Sequence, residues 1–401
     1  MKTLLRRRDV RLLLAGQTLS MFGDWMMIIV LGIWMKVLTG SNGAAGLVFF
    51  AFALTGMLSP FGGLVVDRLP KRRLMISTHL ALAAVMCLLL LVHDRSDVWL
   101  IYVVTVLYGL GGDFFASARG AMLKGMLPDE LLGEANGAIQ SLREGLRLVA
   151  PLAGAALFAV SGGGTVAIVD AATFVLSACA LIALRFTEPP TAVSEHHFLR
   201  EMTAGLHHIW RDGVLRHLTI GVAATMLVIG FSETLIFAIT EALGRPPSFI
   251  AVLGTLQGVG SIAGGVTAGK LMRRIGEVRA AGLGVALFAL GDLCWLFLSL
   301  PLIMVSMAIA GLGIVWAVVA ISTAYQRRSA ITMQGRVSAA ANMVFSVPQT
   351  ISIAAGAALI TLVDYRIEIA AMGVGTTLCA LYLLVRRVEE PQAEVEPALA
   401  A

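Results

Sequence analysis

The chain has 401 residues, 58% of them hydrophobic and only 14% charged, with a mean hydropathy of +0.86. Soluble domains carry about 25% charged residues, so a water-soluble globular protein is excluded, and the even spread of apolar residues leaves no room for a separate soluble catalytic domain. The net charge of +5 is read through its placement below, as topology and attraction to anionic lipid rather than nucleic-acid binding.

A bilayer-crossing helix needs about 20 mostly apolar residues. In chain order such segments are predicted at 11–37, 43–66, 74–92, 98–118, 134–160 and 165–186, then at 214–240, 247–269, 279–299, 301–324, 336–361 and 367–385. The expectation is an all-α membrane protein, with twelve transmembrane helices in two pseudo-symmetric six-helix bundles. Residues 1–186 form the N-terminal bundle and 214–388 the C-terminal one. Between them, 187–213 is a cytoplasmic linker with an amphipathic helix, and 389–401 is an acidic, disordered tail. No signal peptide is expected, because the basic start runs into a long first span without a small-residue cleavage site. Cys87, Cys179, Cys294 and Cys379 all fall in apolar segments, where they are expected to pack as small apolar residues rather than form disulfides.

The two halves repeat at an offset of 202 residues. Leu54, Gly56, Ser59, Gly62, Gly63 and Leu69 recur as Leu256, Gly258, Ser261, Gly264, Gly265 and Leu271. Gly109-Leu110-Gly111 returns as Gly311-Leu312-Gly313, and Gly154 to Leu157 as Gly356 to Leu359. Parallel repeats in so apolar a chain point to a transporter with a pseudo-two-fold axis along the membrane normal.

Lys and Arg placement sets the orientation. With the N-terminus cytoplasmic, 24 of the 30 basic residues fall on the inside, four outside (Lys36, Arg95, Arg245, Arg366) and two within a span (Arg143, Arg147). Both termini are therefore expected in the cytoplasm of a bacterial cell, with the chain in its inner membrane. In the linker, Phe198, Met202, Leu206, Ile209 and Trp210 recur at helical spacing, which predicts a helix lying on the cytoplasmic membrane surface. The pairs His196-His197 and His207-His208 lack further ligands at metal spacing, so no metal is expected.

Ionisable residues inside spans are costly and are functional candidates by default. Asp24 lies near the middle of the first span, Asp113 in the inner half of the fourth, and Arg143, Glu144 and Arg147 in the fifth. Glu233 lies in the outer half of the seventh span and Asp292 in that of the ninth, where a packing role is expected. Asp170 and Glu241 fall nearer outer ends, where an interfacial position accounts for them. Arg143 and Arg147 share a helix face and need an acid between or opposite them. Glu144, Asp24 and Asp113 are the candidates. One reading is a buried network that only fixes packing; the other is a carboxylate that exchanges its arginine for a proton or substrate. Gln17, Phe22, Trp25, Gln140, Phe231, Gln257, Asn342, Phe345 and Gln349 are expected to line a central cavity suited to amphipathic compounds.

The loop from Gly62-Gly63 through Asp67-Arg68-Leu69-Pro70 to Lys71-Arg72-Arg73 resembles the signature loop of the major facilitator superfamily. The twofold arrangement extends that resemblance over essentially the whole chain. Gly16-Gln17, Gly23-Asp24 and Leu38 to Ser41 are similar to the macrolide-efflux and enterobactin-exporter-like drug:proton antiporters. The resemblance implies a cytoplasmic latch at Asp67 and Arg68, with Arg119 and the start of the eleventh span near Arg336 as partners. In the fifth span Ala150-Pro151-Leu152-Ala153-Gly154 departs from the glycine-proline pattern of that branch, keeping the proline. Gly264 to Leu271 nearly matches a phosphate-binding loop, but Leu271 replaces the required Ser or Thr and no strand precedes it. The repeat explains it, and no nucleotide is expected.

The expected function is secondary active transport: proton-coupled efflux of amphipathic small molecules by alternating access. Export of one anionic metabolite such as a siderophore, selected by Arg143 and Arg147, is the second reading. A non-transporting sensor or scaffold is the third; such a protein is expected to carry an appended soluble domain. No enzyme constellation is found and no cofactor is expected. The expected partners are a small-molecule substrate, protons and membrane lipid, with the chain acting as a monomer.

Overall fold

The computed structural model describes residues 7–66, 69–185, 198–329 and 331–385, and every regular element among them is helical. The first five helices are α1 (Arg8–Thr39), α2 (Asn42–Val66), α3 (Lys71–Cys87), α4 (Val98–Met126) and α5 (Asp129–Ile182). The linker helix is α6 (Phe198–Arg211), followed by α7 (Gly213–Ile229) and α8 (Ser232–Ala242). The last five are α9 (Ile250–Ile275), α10 (Glu277–Cys294), α11 (Leu300–Arg328), α12 (Ile331–Leu359) and α13 (Tyr365–Val385). Among the described residues, ten stretches are long and apolar enough to cross a membrane, so the chain is an integral membrane protein. The acidic tail and His196-His197 lie outside the described residues.

Helix α5 has 54 residues, about 80 Å at 1.5 Å per residue, against a hydrocarbon core about 30 Å thick. It is broken at Gly162, whose φ of 77° and ψ of 175° lie in a region open almost only to glycine. The chain turns there, where the Ser161 to Gly164 run predicts a tight hairpin. Gly162→Ala is expected to cost about 1–3 kcal/mol, read as a lowered melting temperature of the purified protein with unchanged helix content. A second interruption, at Gly230 and Phe231, separates α7 from α8 inside the predicted seventh span.

The cores follow the repeat. One large cluster packs Met27, Leu31, Met86, Ile101, Val104 and Phe174 from α1, α3, α4 and α5. Another packs Leu215, Leu218, Val285, Ala320, Val337 and Leu383 from the C-terminal helices. Two small clusters join the halves: Ile33 with Ala155 and Ala251, and Ala45 with Phe237 and Ile250. At the same end Lys36 Nζ donates to Glu241 Oε2 at 2.7 Å and to the Gly40 carbonyl at 2.8 Å, while Asn42 Nδ2 donates to Glu241 Oε2 at 3.0 Å. This clamp ties α1 to α8.

In the linker helix Ile209 packs on protein, while Trp210 is exposed. Ile209 is fully buried among Leu215, Val337 and Ala340, and Gly205 sits against the Arg336 backbone. His208 Nε2 lies 3.1 Å from the Arg328 carbonyl and 3.1 Å from Ser329 Oγ. Asp212 caps α7 by accepting the amides of Val214 and Leu215 at 2.8 and 2.9 Å, so the linker is anchored to the C-terminal half. All four cysteines are free; Cys87 and Cys179 are exposed rather than packed.

Candidate functional site: a cavity between the halves

A cavity of ≈510 Å³ lies between the two halves. Gln17, Ser20 and Asp24 reach it from α1 at i, i+3 and i+7, and Tyr108, Phe115 and Arg119 from α4 at i, i+7 and i+11. Both spacings keep side chains on one helix face. Trp25, Phe49 and Phe52 supply aromatic surface, Arg143 comes from α5, and Glu233, Ser346, Gln349 and Thr350 come from the C-terminal half.

Polar groups converge on Asp24. The Tyr108 hydroxyl donates to Asp24 Oδ1 at 2.9 Å, Ser20 also hydrogen-bonds the carboxylate, and the charges of Arg143 and Arg119 act on it. Arg147 stacks its guanidinium 5.5 Å from the centroid of the Trp25 ring, and its charge acts on Glu233 across the interface. Asp113 Oδ2 and Gln17 Oε1 are buried without a hydrogen-bond partner. The site thus places carboxylates, guanidiniums and aromatic faces around one space.

The structure brings together Asp24, Asp113, Arg143, Glu233, Gln17, Trp25 and Gln349 in this cavity, with Arg147 beside it. Asn342 and Phe345 line a second cavity of ≈450 Å³ with Tyr325 and Gln326 in the C-terminal half. Phe22, Phe231 and Gln257 line neither cavity: Phe22 packs into the N-terminal core, Phe231 against Gly356, and the Gln257 backbone against Gly311. The side chains of Gln140 and Glu144, and residues Asp67 and Arg68, lie outside what the structure describes. Arg119, expected as a latch partner, lines the cavity, and Arg336 is exposed near the start of α12.

Three groups escaped the sequence reading. Asp170 is not interfacial: it is fully buried, two turns into the second arm of α5. Tyr108 carried no signal, being one aromatic in an apolar run. His79 is buried and stacks on Phe115 with ring centroids 3.8 Å apart. A membrane-depth argument applied to Asp170 was the one signal available.

The Major Facilitator Superfamily family model matches residues 13–240 and 218–401. The chain belongs to the Major Facilitator Superfamily. Among curated members, it is 26% identical over 279 residues to the uncharacterized MFS-type transporter YfiS of Bacillus subtilis, covering 67% of this chain and 65% of that one. It is 23% identical over 264 residues to macrolide efflux protein A of Streptococcus pyogenes, covering 64% of each. It is 28% identical over 244 residues to the multidrug resistance protein MdtG of Citrobacter koseri, covering 58% of this chain and 57% of that one. The chain thus spans less than two thirds of the length of these relatives. Among solved structures, a bacterial homologue of the iron transporter ferroportin in its inward-facing state superposes with a TM-score of 0.73 at 15% identity, covering 95% of this chain and 98% of that one. The POT family transporter PepTSo gives 0.77 at 12% identity, covering 94% and 97%. These likenesses establish the fold of this superfamily member.

Proposed function

We propose that this superfamily member is a proton-coupled exporter of amphipathic small molecules working by alternating access. The observation that carries the reading is the cavity between the halves, where Asp24 and Glu233 stand beside Trp25, Phe49 and Phe52. The efflux-type relatives support it. The ten long stretches, the 25-residue α2 and the break at Gly162 support an arrangement of twelve spans in two six-helix bundles. With the basic loops in the cytoplasm, the Lys36–Glu241 clamp lies at the outer end. Coupling then needs a carboxylate that takes a proton in one state and is engaged by substrate or arginine in the other. Asp24, with Tyr108, Arg143 and Arg119 around it, has those alternatives at hand. The latch at Asp67 and Arg68 belongs to the same proposal.

Arg119 and Arg143 in the cavity wall favour a second reading, export of an anionic metabolite such as a siderophore. Thermal shift of the purified protein separates the two. Stabilisation by ethidium and erythromycin supports the first, stabilisation by an iron-chelating catecholate alone supports the second, and no shift with any of them contradicts both. Trp25→Ala is expected to weaken ethidium binding about 10-fold, since a desolvated cation–π contact is worth about 1–2 kcal/mol; unchanged affinity would remove Trp25 from the site.

A further inference from the structure

Asp24 has a carboxylate neighbour behind it. Asp170, on the second arm of α5, is fully buried and lies against Gly23, the residue preceding Asp24. A Cβ at position 23 would overlap the Asp170 carboxylate and the Thr173 hydroxyl, so glycine is what lets the acid reach α1. Thr173 Oγ1 lies 3.2 Å from Asp170 Oδ1, while Asp170 Oδ2 is buried without a hydrogen-bond partner. The charge of Asp24 acts on Asp170, and both act on the Tyr108 hydroxyl that donates to Asp24. Around them stand Phe174 and Phe115 with the buried His79 ring. Arg119 and Arg143 approach only from the cavity side, towards Asp24.

Asp170 is fully buried and Asp24 stands half-buried near it at the cavity wall, and two neighbouring acids so placed cannot both be ionised without a large penalty. Among the described residues, neither guanidinium is among the groups acting on Asp170. The scaffold does not demand the acids, because 202 residues on the repeat places Met226 and Met372 at these positions. Met372 is itself buried in the core of its half. An acid pair is thus present in one half where the other is satisfied by two methionines.

We propose that Asp24 and Asp170 form a coupled pair, a dyad that carries a single proton, and that this dyad is the proton-carrying site of the transporter. Asp24, which lines the cavity, exchanges that proton with cavity water; Asp170 is the rear acid, sealed from it. The assignment of the proton to the transport cycle rests on the proton-coupled reading above.

Infrared spectroscopy of the purified protein at neutral pH tests the dyad without any substrate. The wild-type spectrum is compared with those of Asp24→Asn, Asp170→Asn and the double variant, in the carbonyl-stretch region of protonated carboxyls. The pair is expected to give one acid band. Asp24→Asn should shift it without removing it, because the fully buried Asp170 stays protonated. Asp170→Asn and the double variant should both lose it, because Asp24 alone ionises beside Arg119 and Arg143. A band unmoved in Asp24→Asn, a band kept in Asp170→Asn, or two bands lost in the double variant overturns the pair. Tyr108→Phe, a milder change, should shift the frequency of that band without removing it; an unmoved band also counts against the dyad. Asp170→Asn vesicles should lose proton-driven ethidium transport yet keep gradient-free ethidium exchange. If the shared band is present but ethidium moves no protons through the wild type, the transport reading fails and the dyad stands. If protons move and the band is absent, the dyad fails and the transport reading stands.

Discussion

Asp24→Asn is expected to reduce proton-driven ethidium accumulation in everted vesicles to the level of vesicles without the protein. Asparagine keeps the size of the side chain and an acceptor for the Tyr108 hydroxyl, which lies 2.9 Å from Oδ1, so folding and cavity shape should survive. It cannot take up or release a proton, and that is the property uphill exchange requires. The same variant should still exchange ethidium across the membrane when no gradient is present, because that half of the cycle needs only substrate binding and the rocking of the two halves. Loss of both activities would mean that Asp24 holds the structure rather than the proton. Retention of both would move the coupling site elsewhere, with Glu233 and Asp113 next in line.

The second large effect is expected at the opposite end of the cavity. Glu241→Lys should separate the ends of α1 and α8, read as increased labelling of cysteines introduced at the buried Ala45 and Ala238. Lys36 is only 8% exposed and has two acceptors, the Gly40 carbonyl and Glu241. Reversal places a second ammonium beside it and strips Asn42 of its acceptor. Glu241 itself is well exposed, so solvent screening limits the neutral change Glu241→Gln to about 1 kcal/mol, roughly a five-fold shift in population. The reversal should exceed that, because a poorly hydrated lysine then faces a like charge. Unchanged labelling in both variants would show that the apolar contacts of Ala45, Phe237 and Ile250 hold this end closed without the clamp.

Most of the fold was legible because membrane spans announce themselves by hydropathy and length alone. The predicted 43–66 and 367–385 stretches correspond to α2 and α13 within a residue or two. The Ser161 to Gly164 hairpin was legible for a local reason, since only glycine turns the chain as Gly162 does. Rotation about each helix axis was not legible. In a membrane helix lipid-facing and core-facing residues are equally apolar, so nothing distinguished Phe22, which packs inward, from Trp25, which reaches the cavity. Acids were easier to place than aromatics, because burying a charge in lipid is penalised wherever it points; Asp24, Asp113 and Glu233 all reach the cavity. Asp170 was misplaced for want of depth: an apolar run from 165 to 186 gives no exact boundary, and two turns decide between interface and core. The linker helix shows the limit of amphipathicity, which says that a face is covered but not whether by lipid or, as at Ile209, by protein.

Ethidium-driven proton movement in proteoliposomes tests the central claim most directly. Ethidium carries a fixed charge and brings no proton of its own, so a pH electrode in a weakly buffered medium reports only what the protein moves. Adding ethidium outside should acidify the medium as protons leave the lumen in exchange, and Asp24→Asn should abolish that signal. Ethidium uptake without acidification, or acidification unaltered in Asp24→Asn, would contradict the account.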